Sequence, residues 1–329
     1  MALERAAAGR LGEIEGLESR LVWIFGSPRS GSTWLLELLA YPLRLRTEHP
    51  AGFSVPKSLD RSLDVIPVNE SLIPYHLAPP VPSPEWTSDA KSATAINDLF
   101  EQRDGYALSR HHRELWAPEL RRFALVRLQA QVEAAAALHA VSHPLVVIKE
   151  PNGSHAADRT MELLPDSRMI LLLRDGRDVV DSVVAAFSPD GFGARVFGYA
   201  ARTGEQRLGL VRRESAAWVD RVEATERAWD RRPAALRRRL RYEDLLTDPA
   251  GELDGLMEWL GLRRGRRWLQ RSVAANDFAV RGHAPGFFRR SATPGQWRQN
   301  LDQAEQRAME EIMGEALRRV GYGATKSGD

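Results

Sequence analysis

The sequence predicts an α/β fold in which a P-loop-like parallel sheet is flanked by helices and carries an irregular or helical lid. Three observations predict it. Short apolar runs alternate with helical patterns, which is typical of a doubly wound sheet. A glycine-rich turn follows the first apolar run directly. A proline-rich stretch, residues 50–117, interrupts the alternation and is assigned to the lid.

The length of the chain, 329 residues, suits one large α/β domain or two small ones. We predict a single domain over 1–329, with a core at about 20–49 and 118–300 and an insertion at about 50–117. Such an insertion is a common place for substrate selection. The alternative is a surface excursion with a small core of its own.

Five short segments are predicted to be strands, and their continuous apolar runs indicate a sheet covered on both faces. They are Leu21–Phe25, Leu43–Thr47, Leu145–Ile148, Met169–Leu173 and the less apolar Arg238–Tyr242. Close behind the first four lie Arg29, Glu48, Lys149 and Arg174. Ligands of parallel sheets bind at the carboxyl ends of the strands, so these four side chains are predicted to share one site.

Four segments between or after the strands carry helical periodicity. They are Thr33–Ala40, Pro118–Ala140, Asp178–Phe187 and Arg212–Trp229. Residues 188–209 are rich in glycine and arginine and are predicted to form a mobile loop.

Composition excludes several classes of protein. The formal net charge is only +2, so charge does not predict nucleic-acid binding. There is no cysteine, hence no disulfide framework and no thiolate metal site. The first residues lack the apolar segment of a signal peptide, and no apolar run approaches the ~20 residues of a membrane span. We therefore expect a cytoplasmic protein; no oligomeric state is predicted.

The turn after the first strand nearly matches a phosphate-binding P-loop. Gly26 and Gly31 are separated by four residues, and Ser32 and Thr33 follow where a helix is predicted to begin. Backbone N–H groups at such a helix start bind anions. The lysine of the usual pattern is replaced by Ser32, and the basic residue has moved to Arg29 in the middle of the loop.

A second strand–turn–helix segment carries another basic residue. Arg174 ends the fourth predicted strand, and Ser182 lies eight residues further on, in the next helix. An ATPase needs a carboxylate near this position to hold Mg²⁺. Arg174 predicts an anion site instead. Arg177 and Asp178 are predicted to be structural, as a turn pair and helix N-cap.

These two segments resemble the motifs of PAPS-dependent sulfotransferases, which transfer a sulfuryl group from 3′-phosphoadenosine-5′-phosphosulfate (PAPS). Phe25–Trp34 resembles the family's 5′-phosphosulfate loop, Pro-[Lys/Arg]-Ser-Gly-[Thr/Ser]-Thr-[Trp/Leu]. The resemblance implies that Arg29 and the loop amides hold the 5′-phosphate and the bridging oxygen. It further implies cofactor contacts for the loop and first helical turn, with Trp34 near the adenine: Arg29, Ser30, Gly31, Ser32, Thr33 and Trp34.

The resemblance extends to the 3′-phosphate. The family has an arginine and a serine at the separation of Arg174 and Ser182, which implies that these two bind the 3′-phosphate. Tyr242, in a Tyr-Glu-Asp segment similar to the family's, is implied to contact the nucleotide. The segment Gly295–Arg298 resembles the family's C-terminal Gly-x-Trp-[Lys/Arg] loop, so Arg290 and Arg298 are candidates for the 3′-phosphate.

The chemistry that the resemblance implies is in-line sulfuryl transfer, without a required metal, to a hydroxyl of a small-molecule or carbohydrate acceptor. The nucleotide product is adenosine 3′,5′-bisphosphate. Preorganised donors stabilise the charge of such a transition state, and Arg29 and Lys149 are candidates for this role. No nucleic acid, membrane span or metal is predicted to take part.

The general base is the least defined group. Cytosolic aryl-type enzymes have Lys-x-His at the end of the third strand, whereas this chain has Lys149-Glu150-Pro151. Tyrosylprotein-type and several bacterial enzymes use a glutamate after the phosphate loop, and Glu48 fits that place. The resemblance is thus to a bacterial branch, closer to carbohydrate and tyrosylprotein types. We predict Glu48 as the base, then Glu150, with His49 and His155 behind.

Two other functions remain open at this point. One is a nucleotide kinase or NTPase with a modified P-loop, which would need Mg²⁺ and bind ATP; Ser32 in place of lysine argues against it. The other is a non-catalytic protein that keeps the nucleotide site. The acceptor is not defined by the motifs.

Overall fold

Five parallel strands form the central sheet of the molecule, in the order β4-β5-β1-β6-β7. The computed structural model describes residues 16–45, 53–54, 63–71, 73–77, 102–137, 141–191, 193, 195, 200–201, 203–277 and 293–323. The central strands are β1 (Leu21–Phe25), β4 (Leu63–Asn69), β5 (Val141–Lys149), β6 (Arg168–Leu173) and β7 (Arg237–Arg241). A separate antiparallel pair is formed by β2 (Arg44–Leu45) and β3 (Phe53–Ser54).

Helices connect and cover the strands. They are α1 (Ser32–Leu39), α2 (Ile73–Leu77), α3 (Arg113–Ala136), α4 (Ala157–Leu163), α5 (Gly176–Ala186), α6 (Gly204–Asp230), α7 (Tyr242–Thr247), α8 (Pro249–Trp259), α9 (Arg266–Ala275), α10 (Trp297–Asn300) and α11 (Gln303–Arg319). This parallel sheet with flanking helices confirms the predicted fold class.

The core lies where β1 is sandwiched between β5 and β6. All five residues of β1 are buried, and the apolar residues of β6 join them. Trp23 and Phe25 stack on one face of the sheet with ring centroids 6.0 Å apart. Helix α1 also buries most of its residues, because most of its positions are apolar and few side chains remain for contact with solvent.

One predicted strand is wrong as a member of the main sheet. The segment Leu43–Thr47 was expected to be parallel, but Arg44–Leu45 pairs antiparallel with Phe53–Ser54 in the small sheet. The fifth central strand is instead β4, within the stretch assigned to an irregular insertion. Pro67 lies inside β4, and proline removes a backbone donor. An edge strand tolerates this loss, and β4 is at the edge.

The boundaries of two helices also differ from the prediction. Helix α6 begins at Gly204, because Thr203 and Gln206 form a reciprocal capping box with both hydrogen bonds at 3.2 Å. The predicted loop 188–209 therefore gives way to helix at its C-terminal end. Helix α3 begins at Arg113, ahead of Pro118, which lies near its start.

No described helix is both long and apolar enough to cross a membrane.

Candidate active site

The turn from β1 to α1 is a tight glycine-bounded loop. Gly31 caps α1 with a left-handed φ of 90°, and a Cβ there would lie 2.6 Å from the Tyr242 ring. A Cβ at Gly26 would clash with the carbonyl oxygen of Leu172 on β6. Both positions therefore require glycine, one because of its φ and both because another residue approaches closely. The predicted strand, turn and helix around this loop are confirmed.

Two hydroxyls inside the loop are buried and have no partner among the described residues. They belong to Ser27 and Ser30, which are 5% and 1% exposed. Buried hydroxyls are normally hydrogen-bonded, so two together indicate a site that receives a polar ligand. The first-turn amides of α1, at Ser32 and Thr33, have no carbonyl acceptor within the helix, and they also indicate a site for a polar ligand. This donor set fits a phosphate or phosphosulfate group.

The loop is held by Ser154, which lies five residues beyond the end of β5. Its Oγ donates to the carbonyl of Gly26 or of Glu150, at 2.9 Å in each case, and accepts the Gly26 N–H at 3.0 Å. In addition, the Glu150 N–H donates to the Ile24 carbonyl at 2.9 Å. Ser154 was not predicted as part of the site, since its partners are backbone atoms that only the folded sheet brings near.

Arg29 reaches from the first motif to the second. Its backbone is left-handed, with a φ of 74°, and its Nε donates to the Ser182 hydroxyl at 2.9 Å. Arg174 Nη1 donates to the Arg29 carbonyl at 2.6 Å. Burial, and next the nearby charge of Arg174, lower the pKa of Arg29 to about 10. The positive charges of these two neighbouring guanidinium groups repel each other, so an anion bound between them is stabilising.

Tyr242 closes one side of this cluster. Its ring lies under the Arg174 guanidinium at 4.4 Å and contacts the Trp34 ring edge-on at 6.2 Å. The same ring fills the space beside Gly31. Burial raises the pKa of its hydroxyl, which therefore stays protonated at neutral pH. Tyr242 and Trp34 thus brace the loop, and both are largely buried.

The start of α5 differs in detail from the prediction. The N-cap is Asp175, which accepts the Arg177 N–H at 2.9 Å and pairs with the Arg177 guanidinium at 2.8 Å. Asp178 was assigned with Arg177 to the turn and cap, but its carboxylate accepts the Gly295 N–H at 2.8 Å. Asp178 is the third residue of the helix, and its side chain contacts the C-terminal segment.

The C-terminal segment is tied to α5 by these acidic side chains. Asn300 Nδ2 donates to Asp181 at 2.9 Å, in addition to the Gly295–Asp178 contact. The indole ring of Trp297 lies between Arg177 and Arg298, with guanidinium carbons 4.6 and 4.5 Å from its centroid. Arg298 is exposed, and no described contact joins it to the Arg29 cluster. Arg290 lies outside the described residues.

Lys149 ends β5 beside a carboxylate that the sequence did not single out. Its Nζ donates to Glu70 Oε1 at 2.7 Å, and Asn152 Nδ2 donates to Glu70 Oε2 at 2.7 Å. Lys149 is 7% exposed and Glu70 is 22% exposed. The signal for Glu70 is its position directly after β4, which was hidden because β4 itself was not predicted.

The candidates for the base are placed unequally. The Glu150 side chain is completely buried and accepts from the Ser71 hydroxyl at 2.8 Å. His155 is buried and its Nδ1 lies 3.1 Å from the Asn152 carbonyl. Glu48 and His49 lie outside the described residues. Within the part of the chain that the structure describes, no three histidine or acidic side chains cluster closely enough to hold a metal ion.

The fold and the site define an α/β protein with a parallel sheet, in which the turn after β1 and the helix after β6 are joined through Arg29 and Ser182. A model of the sulfotransferase family matches residues 22–265. The chain belongs to the sulfotransferase family, as the motifs predicted. No curated protein matches the sequence.

Two solved sulfotransferases are similar to this chain in structure. Mouse sulfotransferase SULT7A1 complexed with PAP is similar with a TM-score of 0.53 at 12% identity, over 94% of this chain and 89% of that one. Sulfotransferase STF9 from Mycobacterium avium matches with a TM-score of 0.48 at 16% identity, over 97% of this chain and 82% of that one. At these identities the first likeness shows the fold alone.

Proposed function

We propose that this protein transfers the sulfuryl group of PAPS to a hydroxyl of a small-molecule or carbohydrate acceptor. One observation carries the proposal most directly: Arg29 of the first motif donates to Ser182 of the second at 2.9 Å. A ligand with one anionic group at each end fits such a joined site. PAPS, with a 5′-phosphosulfate and a 3′-phosphate, has that form. The mouse sulfotransferase with this fold was crystallised with PAP.

The loop after β1 suits the 5′ end of PAPS. The buried Ser27 and Ser30 hydroxyls and the amides of Ser32 and Thr33 offer donors without charge. Arg29 adds a positive charge, which stabilises the negative charge that develops on the leaving phosphate. Because these groups are fixed before the ligand arrives, little reorganisation is needed during the reaction.

The second turn suits the 3′-phosphate. Ser182 is 8% exposed and already contacts Arg29, while Arg174 is held against Tyr242. Among the described residues, the buried Arg174 Nε has no hydrogen-bond partner. Arg174 Nε and the Ser182 hydroxyl are the donors that we assign to the 3′-phosphate. Arg290 and Arg298 remain predictions, as secondary ligands from the C-terminal segment.

The transfer we propose is in-line and needs no metal, because the chain supplies cations where a metal would act. PAPS supplies the sulfuryl group and the adenosine 3′,5′-bisphosphate leaving group. Arg29 stabilises the leaving phosphate, and Lys149 is the candidate for the sulfuryl oxygens. The acceptor proton goes to a carboxylate. Glu48 stays a prediction for that carboxylate.

The alternative is a nucleotide kinase or NTPase with a modified P-loop. It would require a lysine where Ser32 stands and a metal-binding carboxylate near the end of β6, where Arg174 stands. Both differences argue against a triphosphate bridged by a metal ion, and they favour a donor that binds without one.

The test is an incubation of the purified protein with ³⁵S-labelled PAPS and a panel of hydroxylated acceptors in the presence of EDTA. We expect labelled ester and adenosine 3′,5′-bisphosphate to form in equal amounts. Binding of PAPS without product from any acceptor would indicate the non-catalytic alternative. Turnover of ATP that EDTA abolishes would indicate the kinase alternative.

A further inference from the structure

Glu70 lies at the edge of the central sheet where the carboxyl ends of β1, β5 and β4 stand side by side. In this row of strand ends, Ile24 pairs with Lys149, and Lys149 pairs with Asn69. Glu70 follows Asn69 directly, and its N–H donates to the Lys149 carbonyl at 3.0 Å. Neighbouring strands are ~4.8 Å apart, so the row places Glu70 two strands, or ~10 Å, from the strand that leads into the phosphate loop.

The carboxylate of Glu70 is held in place before any acceptor arrives. Its two oxygens accept from Lys149 Nζ and Asn152 Nδ2, both at 2.7 Å. Its backbone adopts a φ of 63°, which is uncommon for a residue other than glycine and is maintained only by surrounding structure. A backbone and a carboxylate constrained in this way, beside the catalytic candidate Lys149, are typical of a functional position.

The carboxylate also borders a cleft between β4 and α3. The cleft has a volume of ≈ 470 Å³. Most of its lining is apolar: Val68, Ile73, Leu77, Leu108, Leu120, Phe123 and Leu128. Its polar lining consists of Glu70, Ser71, Arg127 and Gln131. Small-molecule sites commonly have this size and an apolar wall with few polar groups.

The other candidates for the base differ from Glu70. Glu48 was predicted from its place after the phosphate loop, at the end of the second predicted strand, and it lies outside the described residues. The strand next to Lys149 is β4, which Glu70 follows directly. Glu150 follows β5 itself, and its side chain is completely buried. A base has to lie within hydrogen-bond reach of the acceptor hydroxyl. Glu70 lines the cleft, so a hydroxyl bound there can come within that reach.

We propose that the cleft binds an apolar, hydroxyl-bearing acceptor and that Glu70 is the general base for its hydroxyl. The proposal rests on the proposed sulfuryl transfer. The acceptor oxygen forms its bond to sulfur while the bond between sulfur and the 5′-phosphate oxygen breaks. The acceptor proton moves to a Glu70 oxygen, and the electron pair of the broken bond leaves with adenosine 3′,5′-bisphosphate. Lys149 turns from Glu70 toward the sulfuryl oxygens, which leaves the carboxylate able to accept the proton.

The test compares Glu70→Gln, Glu70→Asp and Glu48→Gln in the full chain with PAPS, using 2-naphthol as the apolar acceptor and cellobiose as the polar one. We expect Glu70→Gln to lower kcat for 2-naphthol by at least about a hundredfold, the usual loss when a general base is removed. Glu70→Asp, which keeps a carboxylate and tolerates the left-handed backbone, is expected to retain more activity than Glu70→Gln. Glu48→Gln is the comparison variant, and we expect Glu70→Gln to lower kcat more than Glu48→Gln does.

Two binding measurements separate a lost base from a lost site. Calorimetry is expected to give the same affinity of Glu70→Gln and wild type for adenosine 3′,5′-bisphosphate, within about twofold. It is also expected to show 2-naphthol binding to both nucleotide complexes. Formate is expected to restore turnover to Glu70→Ala, since a small carboxylate can replace a missing base.

The proposal is overturned if Glu70→Gln keeps its turnover while Glu48→Gln loses it, or if cellobiose is sulfated and 2-naphthol is neither bound nor sulfated. Both results require wild-type protein that makes sulfate ester from PAPS, so they leave the sulfuryl transfer intact. Wild-type protein that binds no adenosine 3′,5′-bisphosphate contradicts the proposed function instead.

Discussion

Arg29 and Ser182, which are 153 positions apart in the sequence, are joined by a hydrogen bond of 2.9 Å from Nε to Oγ. The bond links the turn after β1 to the helix after β6. These two strands are neighbours in the sheet, so their carboxyl ends open on the same side. The two motifs, for which anion sites are predicted separately, therefore lie together in the fold, and each motif orients a side chain of the other.

Removing this contact is expected to weaken the binding of the 3′-phosphate selectively. Ser182→Ala deletes a hydroxyl that we assign to that phosphate and that accepts from Arg29. A hydrogen bond to a charged group contributes about 1.5–3 kcal/mol, so we expect the affinity for adenosine 3′,5′-bisphosphate to fall at least about tenfold. Calorimetry with adenosine 5′-phosphosulfate, which lacks the 3′-phosphate, is expected to show a smaller loss.

The control for this variant is Ser188→Ala. Ser188 lies just beyond the C-terminal end of α5, and its hydroxyl donates to the Ala185 carbonyl. It is expected to bind both nucleotides like wild type. Equal losses for the two nucleotides in Ser182→Ala would show that the serine does not serve the 3′-phosphate.

Gly31→Ala is expected to damage both stability and binding. The alanine Cβ would lie 2.6 Å from the Tyr242 ring, and the φ of 90° is unfavourable for any side chain. A left-handed backbone alone costs about 1–2 kcal/mol. We expect a loss of at least about 2 kcal/mol in the free energy of unfolding, and a weaker affinity for adenosine 3′,5′-bisphosphate, because Tyr242 has to move away from Arg174.

Gly204→Ala serves as the matched control. A Cβ at Gly204 has nothing within 4 Å, and the residue is the first of α6. This change is expected to stabilise the protein by about 0.5 kcal/mol, since alanine restricts the unfolded chain. Denaturant unfolding measures both variants, and equal stabilities would refute the constraint at Gly31.

Asp178→Asn is expected to change how stability depends on pH. Burial raises the pKa of the Asp178 carboxyl above its ordinary value of 3.8, although the Gly295 N–H opposes the rise. The folded state therefore binds this proton more tightly than the unfolded state does. The stability that Asp178 contributes is fully present below the ordinary pKa and is lost as pH rises through the raised one.

Asparagine has no such ionisation and can still accept the Gly295 N–H. In urea unfolding at a series of pH values, wild type is expected to lose stability relative to Asp178→Asn as the pH rises from acidic to neutral. The opposite trend, with wild type gaining stability, would mean that the ionised form is favoured in the folded protein.

The cleft between β4 and α3 is tested by two exposed apolar residues of one helix. Phe123 is 58% exposed and lines the cleft, whereas Leu115 is 68% exposed and does not. We expect Phe123→Ser to raise KM for 2-naphthol by about tenfold, because lost apolar contact in a pocket costs about 1–3 kcal/mol. Leu115→Ser should leave KM unchanged. A similar effect of both substitutions would place the acceptor elsewhere.

Most of the sheet follows from local sequence, and one strand does not. The buried strands β1 and β6 are nearly continuous apolar runs, and β5 contains one at Leu145–Ile148; few other structures accommodate such runs. In β4, Asp64 and Pro67 interrupt the apolar pattern, and prolines flank it in the sequence. Only the edge position in the sheet allows such a strand, and that position is a property of the whole fold.

The site residues also divide into those that follow from local sequence and those that do not. Arg29, Gly31, Arg174 and Ser182 stand in spaced motifs, so their types and positions could be read before the fold was known. The role we propose for Glu70 depends on the register of β4 with β5, which no local pattern contains. The tie between Asp178 and Gly295 likewise joins residues 117 positions apart and becomes visible only in the folded chain.

The most direct test of the central claim, a metal-independent site for a nucleotide with a 3′-phosphate, is a calorimetric titration of the full chain. Adenosine 3′,5′-bisphosphate and ATP are each titrated with and without Mg²⁺. We predict that adenosine 3′,5′-bisphosphate binds more tightly than ATP and that Mg²⁺ does not change its affinity. Preference for ATP that depends on Mg²⁺, or equal affinity for both nucleotides, would contradict the account.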